Sequence, residues 1–236
     1  MKEYRSAVFI PTFPEAQALL KRGKSKLLQK AKKAWMYELQ KNKTDAVLLV
    51  ITGMGQALTQ EAAEEVFKHY KISQLYLFGV AGALREELKR PQAFYISEVK
   101  NLKNQSLSSS KHVDSFASAT AVTVDHVIQQ TSEKRLLQEN YLADLVEMES
   151  FPLAQLCQNQ KIPFTHIRWI MDEFQDQLPS VSDFVDPWGK IKIVPLVFSL
   201  LKNPRLCFEL VGLARKSRQS LKAMTLFLDS FYEKYL

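Results

Sequence analysis

An α/β fold, with a layered sheet covered by helices on both faces, is predicted by three observations on this 236-residue sequence. Short apolar runs of strand length alternate with stretches of helical spacing. The runs stop at glycine- or proline-containing turns. The chemically unusual residues (Glu15, Asp125, Glu147, Glu149 and Asp172) all fall where an apolar run ends, which is where the ligand crevice of such a sheet lies.

In chain order, Ala7-Val-Phe-Ile10 is a buried strand ended by Pro11, and Glu15 to about Lys33 has helical spacing with a break at Gly23. Ala46–Ile51 is a second buried strand, closed by Thr52-Gly-Met-Gly55 and followed by a helix over Gln56–Tyr70. Gln74–Phe78 is a third strand with a glycine turn, Gly79-Val-Ala-Gly82, and Ala93–Val99 is a fourth. Asn101–Lys111, rich in Ser, Asn, Gln and Lys, reads as a mobile loop. Ala119–Val124 and Leu142–Val146 are strands on either side of a short helix over Ser132–Asn140. A helix over Ser150–Gln158 carries Pro152 in its first turn, and Pro163–Met171 is a further strand. Beyond Pro187-Trp-Gly189 the pattern is helical, with interruptions at Pro195 and Pro204. We read a single domain, 1–236, with a core over 1–186 and a C-terminal helical extension over 187–236.

Composition excludes several classes. No apolar run reaches the ~18–20 residues that span a bilayer, and Met1-Lys-Glu-Tyr-Arg5 leads into an apolar run without a signal-peptide cleavage site. Cys157 and Cys207 both lie on apolar helical patterns and read as reduced core residues of a cytoplasmic protein. The net charge of +7 is concentrated at Lys21–Lys33 and in the tail. Aromatic residues do not interleave with these basic ones, so a nucleic-acid partner is not expected. Gly53-Met-Gly55 lacks the third glycine of a dinucleotide fingerprint, because position 58 is Leu, and no nicotinamide or flavin cofactor is expected. His69, His112, His126 and His166 have no metal-ligand spacing, so no metal is expected.

The carboxylates carry the chemistry. Asp172 follows an apolar strand, and a carboxyl group half-buried there has its pKa raised and can serve as a general acid near neutral pH. Taken singly, Asp172 is a helix N-cap and Glu149 a favourable charge at a helix N-terminus. Their joint occurrence at strand ends points to a site.

The motifs "VEMES" and "PFTHIRWIMDEFQD" resemble the purine nucleoside phosphorylase superfamily, and in particular the methylthioadenosine/S-adenosylhomocysteine nucleosidase branch. So do "FIPTFPEAQALL", "VITGMGQALTQEAAEEVF", "LYLFGVAGALREEL" and "AVTVDHVI", so that the likeness spans roughly residues 6–180. The tail from Asp186 is similar to the C-terminal part of hopanoid-associated phosphorylases, which implies adenosylhopane as substrate. The resemblance implies a three-layer α/β/α sandwich with a central mixed sheet, and a homodimer. It also implies a small-molecule nucleoside as partner and cleavage of an N-glycosidic bond.

It further implies that Asp172 protonates N7 of the purine and that Glu15 orients the attacking water. Glu149 grips the ribose hydroxyls, Met148 packs on the sugar, and Gly53, Gly79, Ala81 and Gly82 form the ligand turns. Val127, with Ile128, borders the adenine, while Glu147 is structural. Two positions depart from the pattern: Val80 stands where a small polar residue is common, and Glu173 follows the acid directly. Phe78 occupies the position where phosphate-using members carry a basic residue, which favours water as nucleophile. Three readings stand at this point: a hydrolytic nucleosidase, a phosphorylase, and a non-catalytic nucleoside or lipid binder. The apolar-basic stretch "IVPLVFSLL" with its neighbouring lysines and arginines allows peripheral membrane contact.

Overall fold

The computed structural model describes residues 1–22, 24–30, 34–40, 46–109, 115–178, 185–193, 196 and 205–235. Its strands are β1 (Lys2–Ile10), β2 (Lys24–Lys30), β3 (Trp35–Gln40), β4 (Ala46–Ile51), β5 (Tyr70–Ala83), β6 (Ala93–Lys100), β7 (Ser106–Ser108), β8 (Ala117–Thr123), β9 (Leu145–Glu147) and β10 (Phe164–Asp172). Its helices are α1 (Phe13–Arg22), α2 (Gln56–His69), α3 (Thr131–Tyr141), α4 (Ser150–Gln160) and α5 (Arg205–Tyr235).

The alternation along each central strand builds the layers. Ala7 and Phe9 of β1, Leu48 and Val50 of β4, and Leu75 and Leu77 of β5 face α2 and α4, through Ala62, Val66, Leu153 and Cys157. Their neighbours Val8, Ile10, Leu49, Ile51, Tyr76 and Phe78 face α1 and α5, through Leu19, Met224, Leu228 and Phe231. Helices therefore cover both faces of a mixed sheet, as expected from sequence. Cys157 is buried and its thiol is pushed up to about 12 by burial; Cys207 lies outside the described side chains.

The sheet order is β10-β6-β8-β9-β5-β1-β4-β3-β2, and β10 also pairs with β5. Five strands (β5, β10, β6, β8, β9) thus close on themselves at one end, while the other end stays open. Small side chains make the closure possible: Ala81, Ala83, Ala119 and Ala121 fill the inside with Phe94, Ile96, Leu145 and Ile170.

Several sequence expectations are corrected. Helical spacing beyond Arg22 does not continue as helix: Lys24–Lys30 pairs antiparallel with Trp35–Gln40, and both form the outer edge of the sheet. Gly79–Gly82 is not a turn but lies inside the fourteen-residue strand β5. The expected mobile loop folds back as β7 on β6, and its bend is fixed by Asn101 Oδ1, which accepts from the Lys103 and Gln105 amides at 3.0 Å. In the tail, Arg205–Tyr235 is helical, as expected, while Pro195, Pro204 and most of "IVPLVFSLL" lie outside the described residues. No helix among the described residues is long and apolar enough to cross a membrane.

Candidate active site

Arg168 lies on β10, and its side chain is fully buried. A guanidinium cannot shed its charge, so burial demands acceptors on every side. Nη2 donates to Glu147 Oε2 at 2.5 Å and to Glu149 Oε2 at 3.0 Å. Nε donates to His166 Nε2 at 2.7 Å, and Nη1 to the Val80 carbonyl at 3.3 Å. Burial alone would lower the arginine's pKa, but Glu147, Glu149 and Glu15 together raise it. His166 is held neutral by burial and by the adjacent Arg168 charge.

The carboxylates around Arg168 are not equivalent. Glu147 is consumed by protein partners: Oε2 also accepts from the Glu149 and Ser150 amides at 2.8 and 2.9 Å, tying down the start of α4, and Oε1 accepts from the Thr123 hydroxyl. Glu149 Oε1 accepts from the Gly55 amide at 2.9 Å. Glu15 Oε2 accepts from the Thr12 amide at 3.0 Å and hydroxyl at 2.5 Å, and its Oε1 accepts from the Val80 amide at 2.9 Å. Burial raises the pKa of Glu15 against those hydrogen bonds. Burial also pushes Glu149 up to about 7; Glu147 and Glu15 add to the shift, and Arg168 opposes it.

Two glycines of β5 make room for this chemistry. A Cβ on Gly79 would sit 2.2 Å from Arg168 Nη1, and one on Gly82 would sit 2.9 Å from Asp172 Oδ2. Gly79 is the register partner of Arg168 and Gly82 that of Asp172, with an irregularity between Ile170 and Asp172. Gly53 and Gly55 have φ of 86° and 102°, a conformation that glycine adopts without strain, and there they turn the chain from β4 into α2.

Asp172 is buried at the end of β10, and Lys134 Nζ of α3 donates to its Oδ2 at 2.5 Å. Burial raises the Asp172 pKa, and Lys134 works against that rise. Asp172 also lines a cavity of about 380 Å³, together with Arg90, Gln130, Met171 and Leu213; neither Glu15 nor Glu149 is in that lining. The site thus has two parts on one strand: the Arg168 carboxylate cluster and, four residues further on, the Asp172–Lys134 pair.

The remaining expected residues divide. Met148 packs on Leu84, Val122, Ile128 and Val146, and its Cε lies 4.0 Å from where a Gly55 Cβ would be. Gly53 contacts a segment that sequence reasoning had not placed at the site. The Phe13 amide donates to the Trp188 carbonyl at 3.0 Å and the Met54 amide to the Pro187 carbonyl at 2.8 Å, so 187–188 ties together the turns after β1 and β4. Trp188 Nε1 is buried without a hydrogen-bond partner among the described residues, 3.3 Å from a Cβ built on Gly53. Ala81 points into the closed end of the sheet, and Val127 is exposed. Phe78 belongs to an aromatic cluster with Tyr76, Trp169, Phe227 and Phe231, and so anchors α5. Arg168, Lys134 and Trp188 are the residues at the site that sequence reasoning missed.

The family model of the phosphorylase superfamily matches residues 91–187. No curated protein sequence matches the chain significantly. Among solved structures, a 5′-methylthioadenosine/S-adenosylhomocysteine nucleosidase of Campylobacter jejuni is similar with a TM-score of 0.72 at 16% identity, covering 98% of this chain and 99% of that one. A Helicobacter pylori nucleosidase mutant with 5′-methylthioadenosine in its active site gives 0.67 at 13% identity, over 73% of this chain and 87% of its own. The futalosine hydrolase of Helicobacter pylori gives 0.65 at 13% identity, over 75% and 88%. The sequence match to the phosphorylase superfamily model runs through β6 to β10, and the fold is shared with these nucleosidases and the hydrolase.

Proposed function

We propose that the protein is a nucleosidase that cleaves the N-glycosidic bond of a 5′-substituted adenosine, with adenosylhopane as the favoured substrate, and releases adenine. The observation that carries this reading is the arrangement around β10: Arg168 holds Glu149 by contact and Glu15 through its field, and four residues further along the strand stands the buried acid Asp172. In the reaction, Asp172 gives its proton to N7 of the purine, and the C1′–N9 electron pair leaves with a neutral adenine. Water adds to C1′ and passes a proton to Glu15. Glu149 takes the ribose hydroxyls, and its negative charge opposes the positive charge that develops on the sugar. Proteins of this fold that are named for 5′-methylthioadenosine, S-adenosylhomocysteine and futalosine support a 5′-substituted nucleoside.

Water is the nucleophile in this reading. Arg168 already donates to two carboxylates, a ring nitrogen and a carbonyl. Three glutamates surround this one arginine, so the cluster offers a phosphate dianion more carboxyl groups than cations. The test is to incubate the protein with adenosine, 5′-methylthioadenosine, S-adenosylhomocysteine and adenosylhopane, with and without phosphate, and to measure free adenine and ribose 1-phosphate. Adenine at equal rates in both buffers is expected. Ribose 1-phosphate as the main product overturns the hydrolytic reading, and ligand binding with no adenine from any substrate favours the non-catalytic one.

Glu149 must be ionised to grip the ribose, and the ionised fraction of an acid grows as pH rises through its pKa. With that pKa near 7, kcat/KM is expected to fall about tenfold for each pH unit below the shift. Glu149→Gln should flatten this acidic limb and lower kcat/KM at pH 8.

The tail supports a second feature. Ile191 and Ile193 are 62% and 72% exposed and stand next to Lys190 and Lys192. An apolar pair flanked by lysines suits the headgroup region of an anionic bilayer. Retention on anionic but not neutral vesicles at low salt, lost in an Ile191→Ser/Ile193→Ser variant, is the expected result. The homodimer implied by the family is tested by sedimentation of the same preparation.

A further inference from the structure

Lys134 has no part in the reaction as written above, yet its side chain is completely buried, which for a lysine demands a reason. It stands in the first turn of α3, where Glu133 accepts from the Gln129 and Gln130 amides at 3.2 and 3.1 Å and so fixes the start of the helix. From there Nζ reaches three oxygens: Asp172 Oδ2 at 2.5 Å, the Glu173 carbonyl at 2.6 Å and the Asp176 carbonyl at 3.3 Å. An ammonium has three hydrogens and no acceptor site, whereas a neutral amine has two hydrogens and a lone pair. Three acceptors around one nitrogen match the ammonium, and they make Oδ2 of Asp172 an acceptor. The proton that Asp172 is to donate is then confined to Oδ1.

We propose that Lys134 is the positioning residue of the catalytic acid: it directs the Asp172 proton to Oδ1 and neutralises the carboxylate left when that proton moves to the purine. This rests on the nucleosidase reading. The step is balanced, because the Oδ1–H bond breaks as the N7–H bond forms, and Asp172 regains a proton from solvent after adenine leaves. A fixed cation already in place at the developing anion needs no reorganisation during the reaction. Opposite charge at this distance lowers a carboxyl pKa by about 1–3 units, so Lys134 keeps a deeply buried acid strong enough to give its proton away.

The other charged groups near Asp172 are already engaged with one another. Arg90 pairs with Asp176 and, at 3.3 Å, with Glu173; Lys216 of α5 pairs with Asp176 at 2.6 Å, and Lys89 with Glu173 at 3.3 Å. Burial opposes the ionisation of Asp176, but Lys216 and Arg90 outweigh it and hold that carboxyl well below its usual range. Lys134 is thus the cation that donates directly to Asp172 among the described residues.

The test is Lys134→Met, with Lys134→Gln as the variant that keeps two N–H donors for the carbonyls if methionine does not fold. The alkaline limb of kcat/KM is expected to move up by about one pH unit or more, with kcat down about 10- to 100-fold. The Asp172→Asn/Lys134→Met double variant should be no slower than Asp172→Asn alone, since Lys134 acts through the acid. A rate loss with an unmoved alkaline limb and additive effects in the double variant assigns Lys134 a structural role only and overturns the proposal. Titration of Asp172 by carboxyl ¹³C NMR in wild type and variant reads the same coupling without turnover. If wild type releases no adenine, the nucleosidase reading fails, and an Asp172 midpoint that Lys134→Met leaves unmoved separately overturns the coupling.

Discussion

Asp172→Asn is expected to slow adenine release about 10²- to 10⁴-fold, the usual worth of a positioned general acid, while nucleoside binding stays within a few-fold of wild type. Without a proton on N7 the purine must leave as an anion, and nothing described beside Asp172 replaces that proton. Lys134 is held by three oxygens and Asp176 is held ionised by Arg90 and Lys216. The neighbouring Glu173 is the alternative acid that the sequence offers, but its carboxylate pairs with Lys89 and Arg90. Asparagine has the shape of aspartate and can still accept from Lys134, so it fits beside Gly82. The amide leaves the buried ammonium of Lys134 without the counter-charge that Asp172 supplies whenever it ionises, so a melting curve establishes that the variant is folded before its rate is read. Calorimetry with a 5′-substituted adenosine gives the binding arm. Adenine release within about threefold of wild type would remove Asp172 from the mechanism and, with it, the reading of this strand as catalytic.

The layers of the molecule were legible because the central strands are continuous apolar runs. Residues 7–10 of β1, 47–51 of β4 and 75–78 of β5 are all apolar and buried, and such strand-length runs between helical stretches announce a sheet covered on both sides. The edge was not legible. Lys24-Ser-Lys-Leu-Leu-Gln-Lys30 has the charged composition that protects a sheet edge, and its strand state comes from its partner β3 rather than from its own pattern. Closure at the other end was hidden for a similar reason, since it depends on β9, only three residues long, bridging β5 and β8.

At the site, Glu15, Glu149 and Asp172 stood out as carboxylates at the ends of apolar runs. Arg168 carried a readable signal that went unused: an arginine inside Ile167-Arg-Trp-Ile170 must be buried, and a buried arginine requires carboxylates, two of which were already in hand. Lys134 carried no such signal, because Ser132-Glu-Lys-Arg135 reads as a solvated helix face, and only the packing of α3 against the end of β10 buries its ammonium. The glycines at 79 and 82 read from sequence as a turn, but they lie within a strand. They leave room for the Arg168 and Asp172 side chains across the strand pair, so the strand continues through them instead of turning.

The largest effect on stability is expected from Arg168→Met. The fully buried guanidinium holds Glu147 and Glu149 by contact and Glu15 through its field. Removing one partner of a buried ion pair costs about 3–5 kcal/mol, and here one cation serves several anions. A domain of this size has about 5–15 kcal/mol in total, so the variant should be close to unfolding at pH 8. Acid should restore it. Burial already raises Glu149 to about 7 and raises Glu15 above its ordinary value, and without Arg168 both rise further. An acid whose folded pKa lies above its unfolded value binds more protons in the folded state, so stability increases as pH falls from the folded pKa toward the unfolded one, near 4.3. Urea melts of Arg168→Met are therefore expected to give a midpoint well below wild type at pH 8 and to recover much of the difference by pH 5.5. Adding Glu147→Gln and Glu149→Gln should restore stability at pH 8 in part, because neutral amides do not need the cation. A wild-type midpoint for Arg168→Met at pH 8, or a deficit that stays constant from pH 8 to pH 5.5, would show that these carboxylates do not depend on Arg168. The electrostatic basis proposed for the ribose grip and for the exclusion of phosphate would fall with it.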